Sequence, residues 1–323
     1  MPLVASTFNP PAHLRPAFIQ TITPSLFRRP HVPLSRHEIV ELPDGDFLQL
    51  EWMGPGRGEL VIVTHGLEGS SQSSYITGLA NALLEAGYTV LSWNMRGCGT
   101  DRNRLPTWYH SGQSSDLRAI VNHAISRAFE RVHAVGISVG GNILLKYLGE
   151  EGPAALDLIS SAIAVSVPMD LRGSAEQLAK RKNSIYMNYL LRPLRARIRE
   201  KARRFPELFD ISHLDSIRTF REFDTLYTAP MHGFASVDEY WDSSSSLRSL
   251  EAVRVPTLII NAIDDPFLSP QCFPSDLARN SEVLFLETPS CGGHVGFIDS
   301  LRLSRTWLDR RILHNLAQHS LSR

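Results

Sequence analysis

The sequence predicts an α/β protein: a mostly parallel sheet covered on both faces by helices, with a helical cap inserted late in the chain. Two observations predict it. From residue 60 onward, short β-branched apolar runs of the kind found in strands buried on both faces alternate with amphipathic helical patterns. Between the strand ending near Met169 and the strand starting near Val255 that alternation stops, and helical character takes over without a strong strand. With 323 residues, 43% of them hydrophobic and 20% charged, the chain is long and apolar enough to bury a large core as a single domain, 1–323.

The elements follow in order. "RHEIVELPDGDFLQLEWMG" (36–54) reads as two strands around a Pro-Asp-Gly turn. "LVIVTHGLEG" (60–69) is a buried strand ending in a glycine-flanked loop. "YITGLANALLEAGY" (75–88) puts Ile76, Leu79, Leu83 and Leu84 on one helical face, with Gly87 as the stop. "YTVLSWNMRGCG" is strand then loop, and Asp116 to Ala128 fits a helix. "VHAVGISVGGNILL" (132–145) runs from strand to helix, whose Ile143, Leu144, Tyr147 and Leu148 make an apolar stripe. "SSAIAVSVPM", "VPTLIINAIDDPF" and "SEVLFLETP" are three further strands, and a last helix covers about 300–316. The cap, residues 170–250, falls between the sixth and seventh core strands. No internal repeat or low-complexity tract interrupts the pattern.

Charge and cysteine content exclude several classes. Lys+Arg and Asp+Glu balance at 33 each, which argues against a protein that coats nucleic acid. Cys98, Cys272 and Cys291 offer no even framework and no Cys-x-x-Cys pair, so neither a disulfide scaffold nor a zinc site is expected, only free thiols in a reducing compartment. The first thirty residues lack the basic start and unbroken apolar core of a signal peptide, and no apolar run reaches the length of about 18 residues that would span a membrane. The expectation is a cytoplasmic protein without integral membrane association. One local imbalance is hidden by the neutral total: residues 180–204 hold ten Lys/Arg and one acid, Glu200. They form either a solvated helix face or a cap surface that attracts anionic substrates or lipid headgroups, a peripheral membrane contact.

Gly136-Ile-Ser138-Val-Gly140 sits where a strand turns sharply into a helix. Such a corner strains the serine backbone and pushes its side chain out at the carboxyl edge of the sheet, and larger residues two before and two after would collide across the turn. Serine needs a base to take its proton and a carboxylate to orient that base. On a doubly wound sheet the three follow in the order Ser, Asp or Glu, His. His294 is the candidate base among twelve histidines, because it lies just past the last strand in the glycine-rich "SCGGHVGF". His65 reads as a loop-shaping residue, and His110, like His65, precedes Ser138. Asp264 and Asp265 compete as the acid, with Asp170 a third candidate. For the oxyanion, the N–H of Val139 is one donor, and Leu67, after His65-Gly66, supplies the second. The aromatic residues Phe205, Phe209, Phe220, Phe223 and Tyr240 are either an acyl-pocket lining or the cap's own core.

Several longer stretches carry a resemblance: "HLRPAFIQTITPSLFRR", "WNMRGCG", "YHSGQSSDL", "REFDTLYTAPMHGFASVDEYW" and "NAIDDPF". Over nearly its whole length the chain resembles the YheT-like esterase branch of the α/β-hydrolase superfamily. It departs from that family at the start, where the usual Asn-Gly-His-Leu-Gln-Thr is here Pro-Ala-Phe-Ile-Gln-Thr. The resemblance implies an α/β-hydrolase fold and a serine carboxylic-ester hydrolase using a Ser-Asp-His triad without cofactor, some relatives acting on acylglycerols or phospholipids. It places the acid at the aspartate before proline, so the implied triad is Ser138, Asp265 and His294. The membrane anchor of the eukaryotic relatives has no counterpart here, and membrane residence is not carried over. The expected partner is a small-molecule or lipid ester of short to medium chain. Two alternatives are a thioesterase or acyltransferase with the same triad, and a non-catalytic ligand-binding member of the fold.

Overall fold

A computed structural model describes residues 3–320, so the ends of the expected 1–323 domain lie outside the described residues. Nine strands form one sheet: β1 Leu3–Val4, β2 Arg36–Glu41, β3 Phe47–Met53, β4 Glu59–Thr64, β5 Thr89–Asn94, β6 Arg131–Ile137, β7 Ser161–Val165, β8 Thr257–Ile260 and β9 Leu284–Glu287. Their order across the sheet is β1-β9-β8-β7-β6-β4-β5-β3-β2. β3 pairs antiparallel with β2 and β5, and every other pairing is parallel. The β2–β3 hairpin is the one expected from the Pro43-Asp44-Gly45 turn, where Gly45 takes φ 85°.

The helices are α1 Ala17–Phe27, α2 Ser74–Glu85, α3 Ser114–Ile125, α4 Val139–Glu151, α5 Leu171–Ala179, α6 Ser184–Arg204, α7 Phe220–Phe223, α8 Ala229–Met231, α9 Val237–Ser244, α10 Ser275–Arg279 and α11 Trp307–Ser320. Alternation along the strands divides the core between the two faces of the sheet. On β4, Leu60 and Ile62 join Leu50, Leu91 and Leu144 on one side, while Val61 and Val63 join Val90, Leu79 and Ile312 on the other. Both faces are covered, and for that reason the parallel strands read as continuous apolar runs.

Three elements escaped the pattern reading: the two-residue edge strand β1, the helix α1 and the five-residue helix α10. The short β1 shifts the count, so the sixth and seventh expected strands are β7 and β8. Between them residues 166–256 contain helices and no strand, with a small core of their own built from Leu171, Ala175, Ala229, Val237, Tyr240 and Trp241. The parallel strands all end on one edge of the sheet. That edge therefore collects the loops after β4, β6, β7, β8 and β9.

Candidate active site

Ser138 sits between β6 and α4 with φ 55° and ψ −121°, a conformation that non-glycine residues rarely adopt. The turn is held by Ser138 N–H donating to Val165 O at 2.8 Å and by the Gly141 and Asn142 amides donating to Ser138 O. Both glycines of the motif are sterically required. A Cβ on Gly136 would lie 2.5 Å from Gly140 O, the expected collision across the turn. At Gly140 the obstacle is different from the one expected: a Cβ there would strike the backbone oxygens of Thr64 and His65 at the end of β4. The second glycine lets the helix start press against a neighbouring strand.

The structure brings His294 to this serine. Its Nε2 lies 2.9 Å from Ser138 Oγ and its Nδ1 lies 2.8 Å from Asp265 Oδ2. The imidazole also stacks on Phe267, ring centroids 4.1 Å apart, which fixes its plane. Asp265 is buried, and its other oxygen accepts from Phe267 N–H at 2.9 Å. Burial pushes its carboxyl above the usual range, and His294 pulls it back. Asp264 has a separate task, accepting from Gly293 N–H at 2.9 Å and so shaping the histidine loop. Asp170 caps α5 through Gly173 N–H and accepts from Ser269 Oγ, so it is engaged away from the imidazole. Sequence reasoning missed the rest of the scaffold. Thr21 Oγ1 accepts from His294 N–H and Ser166 Oγ from Val295 N–H, while Gln20 bonds both backbone groups of Ile298.

Opposite the imidazole lies the loop after β4. Gly69 N–H donates to Gly66 O, Gly66 N–H to Tyr75 Oη, and Glu68 N–H to Tyr109 Oη, with Glu68 at φ 52°. Among the described residues the amides of Leu67 and Val139 donate to no protein group. Both residues line the same cavity as Ser138. His65 shapes this loop as expected. It is fully buried, its Nε2 accepts from Met95 N–H at 3.1 Å, and its Nδ1 therefore carries the proton donated to Gly66 O at 2.8 Å.

Burial pushes His65 down to about 4, so the folded chain keeps it neutral. The unfolded chain protonates near the ordinary value, and the difference disfavours folding as pH falls from 6.5 toward 4; at pH 5 it is about 2 kcal/mol. Burial acts in the same sense on His110 and His232, pushed down to about 3 and about 4, although both are only partly enclosed. Asp224, pushed up to about 6 by burial, acts oppositely and regains some stability between pH 6 and 4. For these four groups taken together the expectation is a loss of about 2–4 kcal/mol between pH 7.5 and pH 5, read from urea midpoints. His65→Gln should flatten the profile, and a midpoint indifferent to pH would contradict a buried, neutral His65.

Residues 59–301 match the family model for the alpha/beta hydrolase fold. The chain belongs to that family. It is 37% identical over 304 residues to the Escherichia coli protein YheT, which carries a provisional esterase name; the alignment covers 91% of this chain and 88% of YheT. With Phospholipase ABHD3 of Bos taurus it shares 29% identity, over 96% of this chain and 78% of that one. Among solved structures the Pyrococcus furiosus esterase Pf2001 superposes with a TM-score of 0.60 at 18% identity, covering 89% of this chain and 91% of that one, a likeness of fold alone. The expected fold and branch are therefore those of this α/β hydrolase.

Ser138 and His294 open onto a cavity of about 530 Å³ that is mostly apolar. Of the aromatic residues singled out in the sequence, Phe220, Phe223 and Tyr240 line it. Phe209 instead packs on Trp108, and Phe205 lies under Lys201 and Arg204. The basic stretch 180–204 divides in the same way. Arg195, Lys201 and Arg204 donate to backbone carbonyls of Ile217, of Leu105 and Thr107, and of Asn103, while Arg199 pairs with Asp215 and Arg197 with Glu68. Arg197, Lys201 and Arg204 thus fasten the second half of α6 to the loops after β4 and β5, while Arg195 and Arg199 tie it to residues of its own helical segment. No group of three or more His, Cys, Asp or Glu placed to hold a metal ion occurs among the described residues, and no helix there is long and apolar enough to cross a membrane. The three cysteines are free.

Proposed function

We propose that this α/β hydrolase is a serine carboxylic-ester hydrolase working through a covalent acyl-enzyme. The observation that carries the reading is one imidazole within hydrogen-bond reach of both Ser138 Oγ and a buried carboxylate, at the floor of an apolar cavity. Ser138 Oγ attacks the ester carbonyl as His294 Nε2 takes its proton, and Asp265 holds the imidazole and stabilises its charged form. The carbonyl oxygen becomes an oxyanion between the Leu67 and Val139 amides. His294 then gives its proton to the leaving alkoxide, and the alcohol departs. Water, deprotonated by the same imidazole, attacks the acyl-serine, and collapse frees the acid and Ser138.

The cavity lining favours an acyl chain as the group held beside Ser138, and the residues between β7 and β8 act as the cap over it. The esterase and phospholipase names of the relatives agree with a lipid ester. Each buried methylene contributes about 0.8 kcal/mol, or roughly a fourfold gain at most. In a series of p-nitrophenyl esters kcat/KM is therefore expected to rise from acetate through butyrate to octanoate. A flat or falling series would remove the acyl-pocket assignment while leaving the triad to be tested separately.

A further inference from the structure

The mouth of the cavity has a construction that ester hydrolysis alone does not require. On α1, Phe18, Ile22 and Leu26 follow at one-turn spacing, and on α6 Ile185 and Tyr189 do the same. All five line the cavity that contains Ser138. Phe18 lies beside Tyr186 of α6, ring centroids 6.1 Å apart, so the two stripes frame one opening. Ile22 is half-buried against the core, but the other four are turned to solvent: Phe18 is 48% exposed, Leu26 52%, Ile185 63% and Tyr189 65%, and Phe27, next to the rim but outside the cavity, is 67% exposed. Single apolar residues on a surface need no explanation, but a set gathered around one entrance does.

Cations stand beside this rim. Arg181 and Lys182 precede Ile185 by about one turn, Arg192 follows Tyr189 by three residues, and Arg29 follows Leu26 by three. All four are exposed, and among the described residues none makes an ion pair or side-chain hydrogen bond. They differ in this from Arg195, Arg197, Arg199, Lys201 and Arg204 on the same stretch, which are tied to the protein. A free cation beside an exposed apolar side chain matches a surface whose outer layer is anionic and whose interior is acyl chain.

We propose that the cavity mouth docks on an anionic lipid bilayer, with the exposed faces of α1 and the start of α6 lying in its surface, so that a lipid ester passes from the bilayer into the cavity. The substrate route rests on the proposed ester hydrolysis; docking itself requires no turnover. The two are separated by measuring docking on Ser138→Ala protein, by co-sedimentation with vesicles of phosphatidylcholine alone or mixed with phosphatidylglycerol. The expected result is partition onto the phosphatidylglycerol vesicles, reduced at least about tenfold by the charge reversals R181E, K182E and R192E together, and also by Phe27→Ser. Carried in the otherwise intact enzyme, these substitutions should leave p-nitrophenyl acetate hydrolysis within about twofold of the parent. Protein that stays in the supernatant with both vesicle types, or partition that ignores both lipid charge and these substitutions, would overturn the docking surface. Docking without hydrolysis of any ester would sustain the surface and remove the enzymatic reading.

Discussion

Ser138→Ala is expected to lower kcat for p-nitrophenyl butyrate by about 10⁴-fold or more while leaving the thermal midpoint nearly unchanged. Only the hydroxyl is removed. Its hydrogen-bond partner is His294 Nε2, whereas the turn is held by backbone bonds from Ser138 to Val165, Gly141 and Asn142 that alanine retains. The unusual φ of 55° disfavours alanine and serine to a similar extent, so strain gives no separate effect on folding. The residual rate should come from the Leu67 and Val139 amides and from substrate binding. His294→Ala should cost a comparable factor, and the double variant should be no slower than the worse single one, because the two side chains act as a unit. Steady-state kinetics with a parallel melting curve decide the matter. Near-parental turnover in a well-folded Ser138→Ala protein would end the nucleophile assignment.

The sequence displayed the fold and most of the site because both are local at their origin. The strand-to-helix corner at Ser138 is written into Gly136 and Gly140, and burial on both faces of the sheet writes the centres of β4 and β7 as unbroken apolar runs. What stayed hidden depends on direction or distance. Asp264 and Asp265 are neighbours in the chain, yet their carboxylates reach different groups, Gly293 N–H and His294 Nδ1. The family resemblance favoured the second, and no feature of the dipeptide itself separates them. Gln20 and Thr21 support the histidine loop from 278 and 273 residues away, separations at which no periodicity can signal a contact. They are also the two residues of Pro-Ala-Phe-Ile-Gln-Thr that keep the family's usual Gln-Thr, and this places a structural task on the part of the motif that did not change. Charge counting failed between 195 and 204 for a related reason. A run of Lys and Arg gives the number of cations and says nothing about which carbonyls and carboxylates the fold brings to them.

Arg197 is the sharpest case, and Arg197→Met is expected to cost about 3–5 kcal/mol of stability. The guanidinium meets Glu68 through two parallel bonds, Nε to Oε1 at 3.0 Å and Nη2 to Oε2 at 2.8 Å, and donates from Nη1 to Gly97 O at 2.6 Å. Both side chains are only 9% exposed, so removing the arginine leaves a carboxylate shielded from water with Tyr109 Oη as its remaining partner. The consequence extends beyond folding, because Glu68 follows Leu67 and sits at φ 52° in the same tight loop. A helix of the segment between β7 and β8 thereby holds the backbone that presents one of the two free amides beside Ser138. Loss of this restraint should lower kcat by about tenfold or more with little change in KM, since an oxyanion donor acts mainly in the transition state. The double variant Arg197→Met/Glu68→Met separates the two effects. Replacing a buried ion pair by apolar side chains removes the stranded charge, so the urea midpoint should recover by at least half. The catalytic loss should persist, because two methionines pack without fixing the direction of the Leu67 amide. If kcat returned together with stability, Arg197 would have only a structural role.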